Sequence, residues 1–190
     1  MPKPRSSGNS CTDALWSTAD GQDRQDPVMA TREHTSARQQ PILLRCALPT
    51  DVQRMAAIEL ASFSDPWPAS AFADLLQQAH ARIIVALGAD QALLGYCVLL
   101  SAADEGEIAN IAVAPSARRG GVGAQLLDDA IGFGTSEGVL HLFLEVRSSN
   151  ESARRLYASR GFLPVGRRRA YYREPLEDAL VLRRDASSAG

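Results

Sequence analysis

Two side chains in the second half of the chain pair an acid–base group with an apolar setting. Glu145 stands in the run His141-Leu142-Phe143-Leu144-Glu145-Val146. A carboxylate in such a run must find a partner or hold its proton more tightly, and the latter suits a general base near neutrality. The other reading is an exposed strand face, or an ion pair with a neighbour such as Arg147. Tyr157 follows Asn150 by two helical turns and shares a face with Ala153, Leu156 and Arg160. A tyrosine there packs in a core with its hydroxyl at the rim.

A third arrangement suits an anion. Glu107 to Val113 ends in the apolar Ile111-Ala112-Val113, Pro115 and Ser116 stop it, and Arg118-Arg119-Gly120-Gly121-Val122-Gly123 follows. Apolar residues then repeat at helical spacing from Ala124 to Ile131. Glycines at the mouth of a helix let backbone approach a ligand, and the first helical N–H groups point outward at the positive end of the macrodipole. Such a site favours phosphate, and Arg118 and Arg119 add charge. A P-loop needs Gly-Lys-Ser/Thr, which is lacking. The dinucleotide fingerprint needs a third glycine where Leu126 stands. What remains is R-x-x-G-x-G after a strand: a pyrophosphate cradle, or a glycine-rich turn before an ordinary helix.

The elements that must hold these groups follow from periodicity and punctuation. Strands are expected over Ile42–Ala47, Arg82–Leu87, Ala92–Ser101, Glu105–Val113, His141–Val146, Leu163–Tyr172 and Ala179–Arg184. Gly95 is expected to mark a bulge. Helices are expected from Pro49-Thr50-Asp51 to Leu60, from Ala69 or Ser70 to Leu76, after the glycine loop to Gly138, and from the cap Asn150 to Arg160. The order β-α-α-β-β-β-α-β-α-β-β gives an α/β fold with a mixed, mostly antiparallel seven-stranded sheet and about four helices. Trp67, bracketed by Pro66 and Pro68, either plugs the core or lines a substrate mouth.

Composition narrows the partners. The 190 residues suffice for one domain, and a formal net charge of −2 argues against direct nucleic-acid binding. Cys11, Cys46 and Cys97 are widely spaced, so neither a disulfide framework nor a zinc site is expected. Cys46 and Cys97 lie in apolar strand-like runs and are read as core. His34, His80 and His141 are too scattered to ligate a metal. No stretch is long enough to span a membrane and there is no apolar leader, so a cytoplasmic location is expected. Residues 1–40 are polar and poor in large apolar groups, and are read as a disordered extension, or as sequence upstream of a true start at Met29. The domain is expected over 41–185, with 186–190 frayed.

The glycine loop, together with Leu144 to Phe162 (L-E-V-R-S-S-N-E-S-A-R-R-L-Y-A-S-R-G-F), resembles the GCN5-related N-acetyltransferase (GNAT) superfamily. It most resembles the RimI-type ribosomal-protein alanine N-acetyltransferases. The likeness runs from about Ile42 to Arg184, including Pro66-Trp67 and Arg168-Arg169-Ala170-Tyr171-Tyr172, similar to the family's "RRNYY". It implies direct acetyl transfer from acetyl-CoA to the N-terminal alanine of a small-subunit ribosomal protein, with no metal. It places the proton acceptor, acting through water, at Glu145 and the donor at Tyr157. It places coenzyme contacts at Ile111, Ala112, Val113, Arg118, Arg119, Gly120, Gly121, Val122, Gly123, Ala124 and Asn150. Arg118 stands where many relatives have glutamine, and Ala124 replaces a common arginine. Trp67 and Tyr172 are expected to wall the pocket for the first side chain. Glu59, Asp65, Glu107 and Asp178 are candidates to receive a basic partner. A monomer or weak dimer is expected. A small-molecule amine acetyltransferase and a non-catalytic CoA-binding module remain as alternatives.

Overall fold

The apolar runs of the second and third strands are continuous because helices cover both of their faces. The computed structural model describes residues 41–186. The expectations for 1–40 and for 187–190 lie outside the described residues. The elements are β1 (Leu43–Cys46), α1 (Val52–Leu60), α2 (Ala69–Leu75), β2 (Ala81–Leu87), β3 (Leu93–Ala102), β4 (Glu105–Val113), α3 (Val122–Ser136), β5 (His141–Arg147), α4 (Glu151–Ala158), β6 (Leu163–Arg173) and β7 (Leu176–Asp185). They form one seven-stranded sheet in the order β1-β2-β3-β4-β5-β7-β6, antiparallel except where β4 meets β5.

Alternation sends Ile83, Val85 and Leu87 to the face covered by α1 and α2, where Met55, Ile58, Phe72 and Tyr96 pack. Ile84 and Ala86 turn to the opposite face, against Leu126, Leu127 and Ala130 of α3. β5 is covered on one face only. Leu142, Leu144 and Val146 enter the α3–α4 core, while Phe143, Glu145 and Arg147 are only partly buried on the other side. That difference leaves a cleft of about 350 Å³, lined among others by Glu105, Glu107, Phe143, Glu145 and Arg168.

Two of the sheet's four register shifts lie in β3 and β4. Val98 pairs with Asn110 but Leu99 pairs with Ile108, so Ala109 is the extra residue in β4. Downstream of it the faces invert. Ile108 enters the α3 core, yet Asn110 and Ala112 face α1. The second bulge lies at Leu94, because Ala86 pairs with Gly95 and Leu87 with Leu93. Gly95 adjoins it and serves close approach: a Cβ there would lie 2.6 Å from the Ala112 carbonyl oxygen. Cys97 is buried as expected, but Cys46 is exposed, since it ends the short edge strand β1. Among the described residues no helix is long and apolar enough to cross a membrane, and no three His, Cys, Asp or Glu side chains cluster as metal ligands.

Candidate active site

β4 and β5 pair from Glu105–His141 to Ile108–Leu144 and then part. Beyond that point a parallel pair has no further ladder, and backbone groups of β4 face an open wedge. The Ala114 N–H donates to Leu94 O at 2.8 Å, so it points toward β3. Strand alternation turns the N–H of Val113 the other way, into the wedge. Its carbonyl faces the same way and accepts from Arg118 Nε at 3.2 Å.

The glycine loop closes the base of this wedge. Gly121 is left-handed (φ 82°) and precedes α3, and Arg119 also takes a positive φ of 65°. The first helical bond runs from Gln125 N–H to Gly121 O at 3.1 Å, and no side chain caps the helix. The N–H groups of Val122, Gly123 and Ala124 therefore open outward without an intrahelical acceptor. A Cβ on Gly123 would sit 3.5 Å from Val113 and 3.6 Å from Leu156, ordinary packing distances that place the start of α3 against β4 and α4. These features fit a pyrophosphate. The Arg118 side chain turns elsewhere: besides Val113 O, it donates to Ser62 Oγ at 3.2 Å. The exposed Arg119 stands at the loop itself. Asn150 caps α4 through its own side chain, accepting from Ala153 N–H at 3.1 Å.

Tyr157 is buried among the residues of the α3–α4 core, edge-on to Phe162 with ring centroids 5.9 Å apart. Burial pushes its phenol above the ordinary value, with smaller contributions from Cys97 on β3 and Tyr172 on β6. Glu145 lines the cleft on the opposite face. Its carboxylate pairs with Arg168, Nη1 to Oε1 3.0 Å, and not with Arg147. The Tyr171 hydroxyl turns to the same carboxylate, which raises the phenol's pKa. Tyr172 is raised by burial foremost, and it too feels Glu145.

Arg147 is instead the junction of three segments. It donates to Ser64 Oγ (3.0 Å) in the α1–α2 loop and to the Glu174 (3.3 Å) and Pro175 (3.4 Å) carbonyls of the β6–β7 turn. Its guanidinium lies 3.9 Å from the Tyr172 ring centroid, and Ser64 Oγ donates to Glu174 O at 2.7 Å. Trp67 tilts onto Phe72 at 5.8 Å, as a core residue does, and its backbone N–H donates to Glu59 Oε1 at 3.0 Å.

Two acids considered for a basic partner are committed internally. Glu59 is buried and accepts from Trp67, Tyr96 and Asn110. Asp178 pairs with Arg167 and accepts the Ala170 N–H. Asp65 is exposed, and Glu107 lines the cleft. The roles of Arg147 and Arg168 were not visible in spacing. Their partners lie 23 to 83 residues away, and only the adjacency of β5, β7 and β6 brings them together.

Known proteins share this layout. Residues 52–162 match the model of the acetyltransferase (GNAT) family. The chain is 35% identical over 133 residues to a putative ribosomal protein bS18-alanine N-acetyltransferase of Bacillus subtilis, covering 70% of this chain and 87% of that protein. It is 37% identical over 157 residues to the uncharacterized protein ML0378 of Mycobacterium leprae, covering 80% of this chain but only 43% of that longer protein. The crystal structure of the ribosomal-protein-S18-alanine N-acetyltransferase from Escherichia coli superposes with a TM-score of 0.72 at 31% identity, over 79% of this chain and 97% of that one. The chain belongs to the acetyltransferase (GNAT) family, in its RimI-like branch.

Proposed function

We propose that this protein transfers the acetyl group of acetyl-CoA to the α-amine of an N-terminal alanine, that of a small-subunit ribosomal protein. One observation carries the reading. β4 and β5 part beyond Ile108 and Leu144, the uncapped start of α3 packs beside Val113, and Glu145 lines the cleft on the opposite face of the sheet. The names of the relatives at 31–35% identity support the choice of acceptor.

The N–H groups of Val122, Gly123 and Ala124, with Arg119, hold the pyrophosphate. The Val113 N–H donates to the thioester oxygen as charge develops on it. An α-amine has a pKa of about 8, so at neutral pH most of it carries a proton that must leave. Glu145 takes that proton through a water. The free amine forms the new N–C bond as the C–S bond breaks, the sulfur departs as thiolate, and the second proton shed by the new amide nitrogen passes through water to that thiolate. Tyr157 donates a hydrogen bond to it. The thiol's pKa of about 8.5 lies below that of a buried phenol, so full proton transfer from Tyr157 is uphill and its part is stabilisation. Trp67 and Tyr172 flank the first acceptor side chain.

The test is single-turnover acetylation of a short peptide beginning Ala-Arg, following CoA release and peptide mass, with wild type and Glu145→Gln. One acetyl on the α-amine, formed roughly a hundredfold more slowly by the variant, is expected. Acetyl-CoA binding with an untouched peptide and turnover on small amines would replace the acceptor assignment. Binding without turnover on any amine would leave only a coenzyme-binding module.

A further inference from the structure

Arg168 reaches Glu145 from two strands away. Glu145 is paired with Val181 on β7, and Arg168 is paired with Ala179 on the same strand. The small, fully buried Ala179 leaves room for the guanidinium to cross β7. The reach depends on an irregular stretch of β6. Register is lost between Arg168 and Tyr172, and Ala170 there takes a φ of 50°. Asp178 pins the stretch, accepting the Ala170 N–H at 2.7 Å and pairing with Arg167 at 2.5 Å. The result aims Arg168 and Tyr171 together at one carboxylate.

The pairing has a cost for the reaction. A protonated acceptor amine must come within one water of Glu145, and Arg168 already stands 3.0 Å from Oε1. Two cations on one carboxylate repel each other. Arg168 can yield, because its side chain is 58% exposed while Glu145 is 19% exposed. The other charged and titratable groups around Glu145 are Tyr171 and Tyr172 of β6, Arg147 of its own strand, Glu107 of β4 and Glu177 of β7. Arg147 is engaged by Ser64, Glu174, Pro175 and Glu177, so the displaceable cation is Arg168.

We propose that Arg168 occupies the acceptor-ammonium subsite in the free enzyme and is displaced from Glu145 when the acceptor amine binds. It acts on the acceptor through Glu145 and is a positioning residue that also sets the threshold for amine binding. This rests on the function proposed above.

The experiment is steady-state kinetics on the full chain with an Ala-Arg-starting peptide, comparing wild type, Arg168→Gln, Arg168→Ala and Arg168→Lys. In the glutamine and alanine variants the acceptor KM should fall roughly two- to fivefold, the range expected for loss of a competing, partly exposed ion pair, with acetyl-CoA KM unmoved. Arg168→Lys should retain the wild-type KM. Methylguanidinium should inhibit Arg168→Ala competitively against the peptide, and wild type much less. An acceptor KM that is unchanged or higher in Arg168→Gln, with wild type active, overturns this proposal alone. A wild type that leaves the peptide unacetylated overturns the functional reading and this proposal together.

Discussion

Asn110 Nδ2 donates to Glu59 Oε1 at 3.1 Å, joining the diverging half of β4 to the end of α1. The same carboxylate takes the Trp67 N–H and the Tyr96 hydroxyl. One buried carboxyl group thus ties the α1–α2 loop, β3 and the segment just past the Ala109 bulge.

Glu59→Ala is therefore expected to do two things. Three donors lose their acceptor in the core, which should cost about 1–3 kcal/mol or more in urea unfolding. The acceptor KM should also rise more than the acetyl-CoA KM, because Trp67 and Asn110 lose their common anchor. Equal effects on both substrates would make Glu59 a stability residue only.

Two glycines near the site should fail differently. At Gly121 nothing lies within 4 Å of an added Cβ, but the φ of 82° strains any other residue. Gly121→Ala should cost roughly 1–2 kcal/mol and weaken acetyl-CoA binding in calorimetry. At Gly95 the added atom meets the Ala112 carbonyl oxygen at 2.6 Å, backbone against backbone. Gly95→Ala should force β3 from β4 and lose more stability than Gly121→Ala. A reversed order would mean that β3 and β4 can shift without cost.

Tyr157→Phe keeps the edge-on packing on Phe162 and removes only the hydroxyl. On the proposed mechanism the phenol stabilises the leaving thiolate without fully protonating it, and kcat should then fall roughly ten- to hundredfold, the worth of one charge-assisted hydrogen bond. Thermal stability should be nearly unchanged. A loss far beyond about a hundredfold would instead make the phenol an obligatory proton donor.

Much of this arrangement was legible because it is local. The strand and helix order follows from periodicity and from punctuation at Pro115, Gly138 and Gly161, and Asn150 caps its helix as its type requires. The glycine loop before the start of α3 was legible because the two are adjacent in sequence. The pairing of Glu145 with Arg168 was not, since it needs the β5-β7-β6 order and the irregular stretch around Ala170. The Ala109 bulge was hidden as well. Alanine carries no turn signal, and the extra residue is defined only by its partners Val98 and Leu99. Glu59 read as a surface acid on a helix because the donors that satisfy it come from three other segments.

Acid sensitivity should come in part from Asp51. It is buried at the start of α1, held by Arg45 at 2.6 and 3.0 Å and by the Leu48 N–H at 2.9 Å. The Arg45 hydrogen bond foremost lowers its pKa below the usual carboxylate value, against the opposing effect of burial. A depressed folded-state pKa contributes stability that is present above the unfolded value, about 3.9, and is lost as pH falls through the folded one. Unfolding free energy should thus hold between pH of about 7 and 5 and decline below that. Asp51→Asn should lose roughly 1–3 kcal/mol at neutral pH, from weakened charge-assisted bonds to Arg45 and Leu48. The gap between variant and wild type should narrow steadily toward a pH of about 2, where Asp51 itself is protonated. The partly buried Glu177 and Asp178 and the exposed Asp185 also titrate low, but they are present in both proteins and cancel in the difference. A gap that stays constant with pH would show that the asparagine harms packing and that the Asp51–Arg45 pair does not set the acid limb.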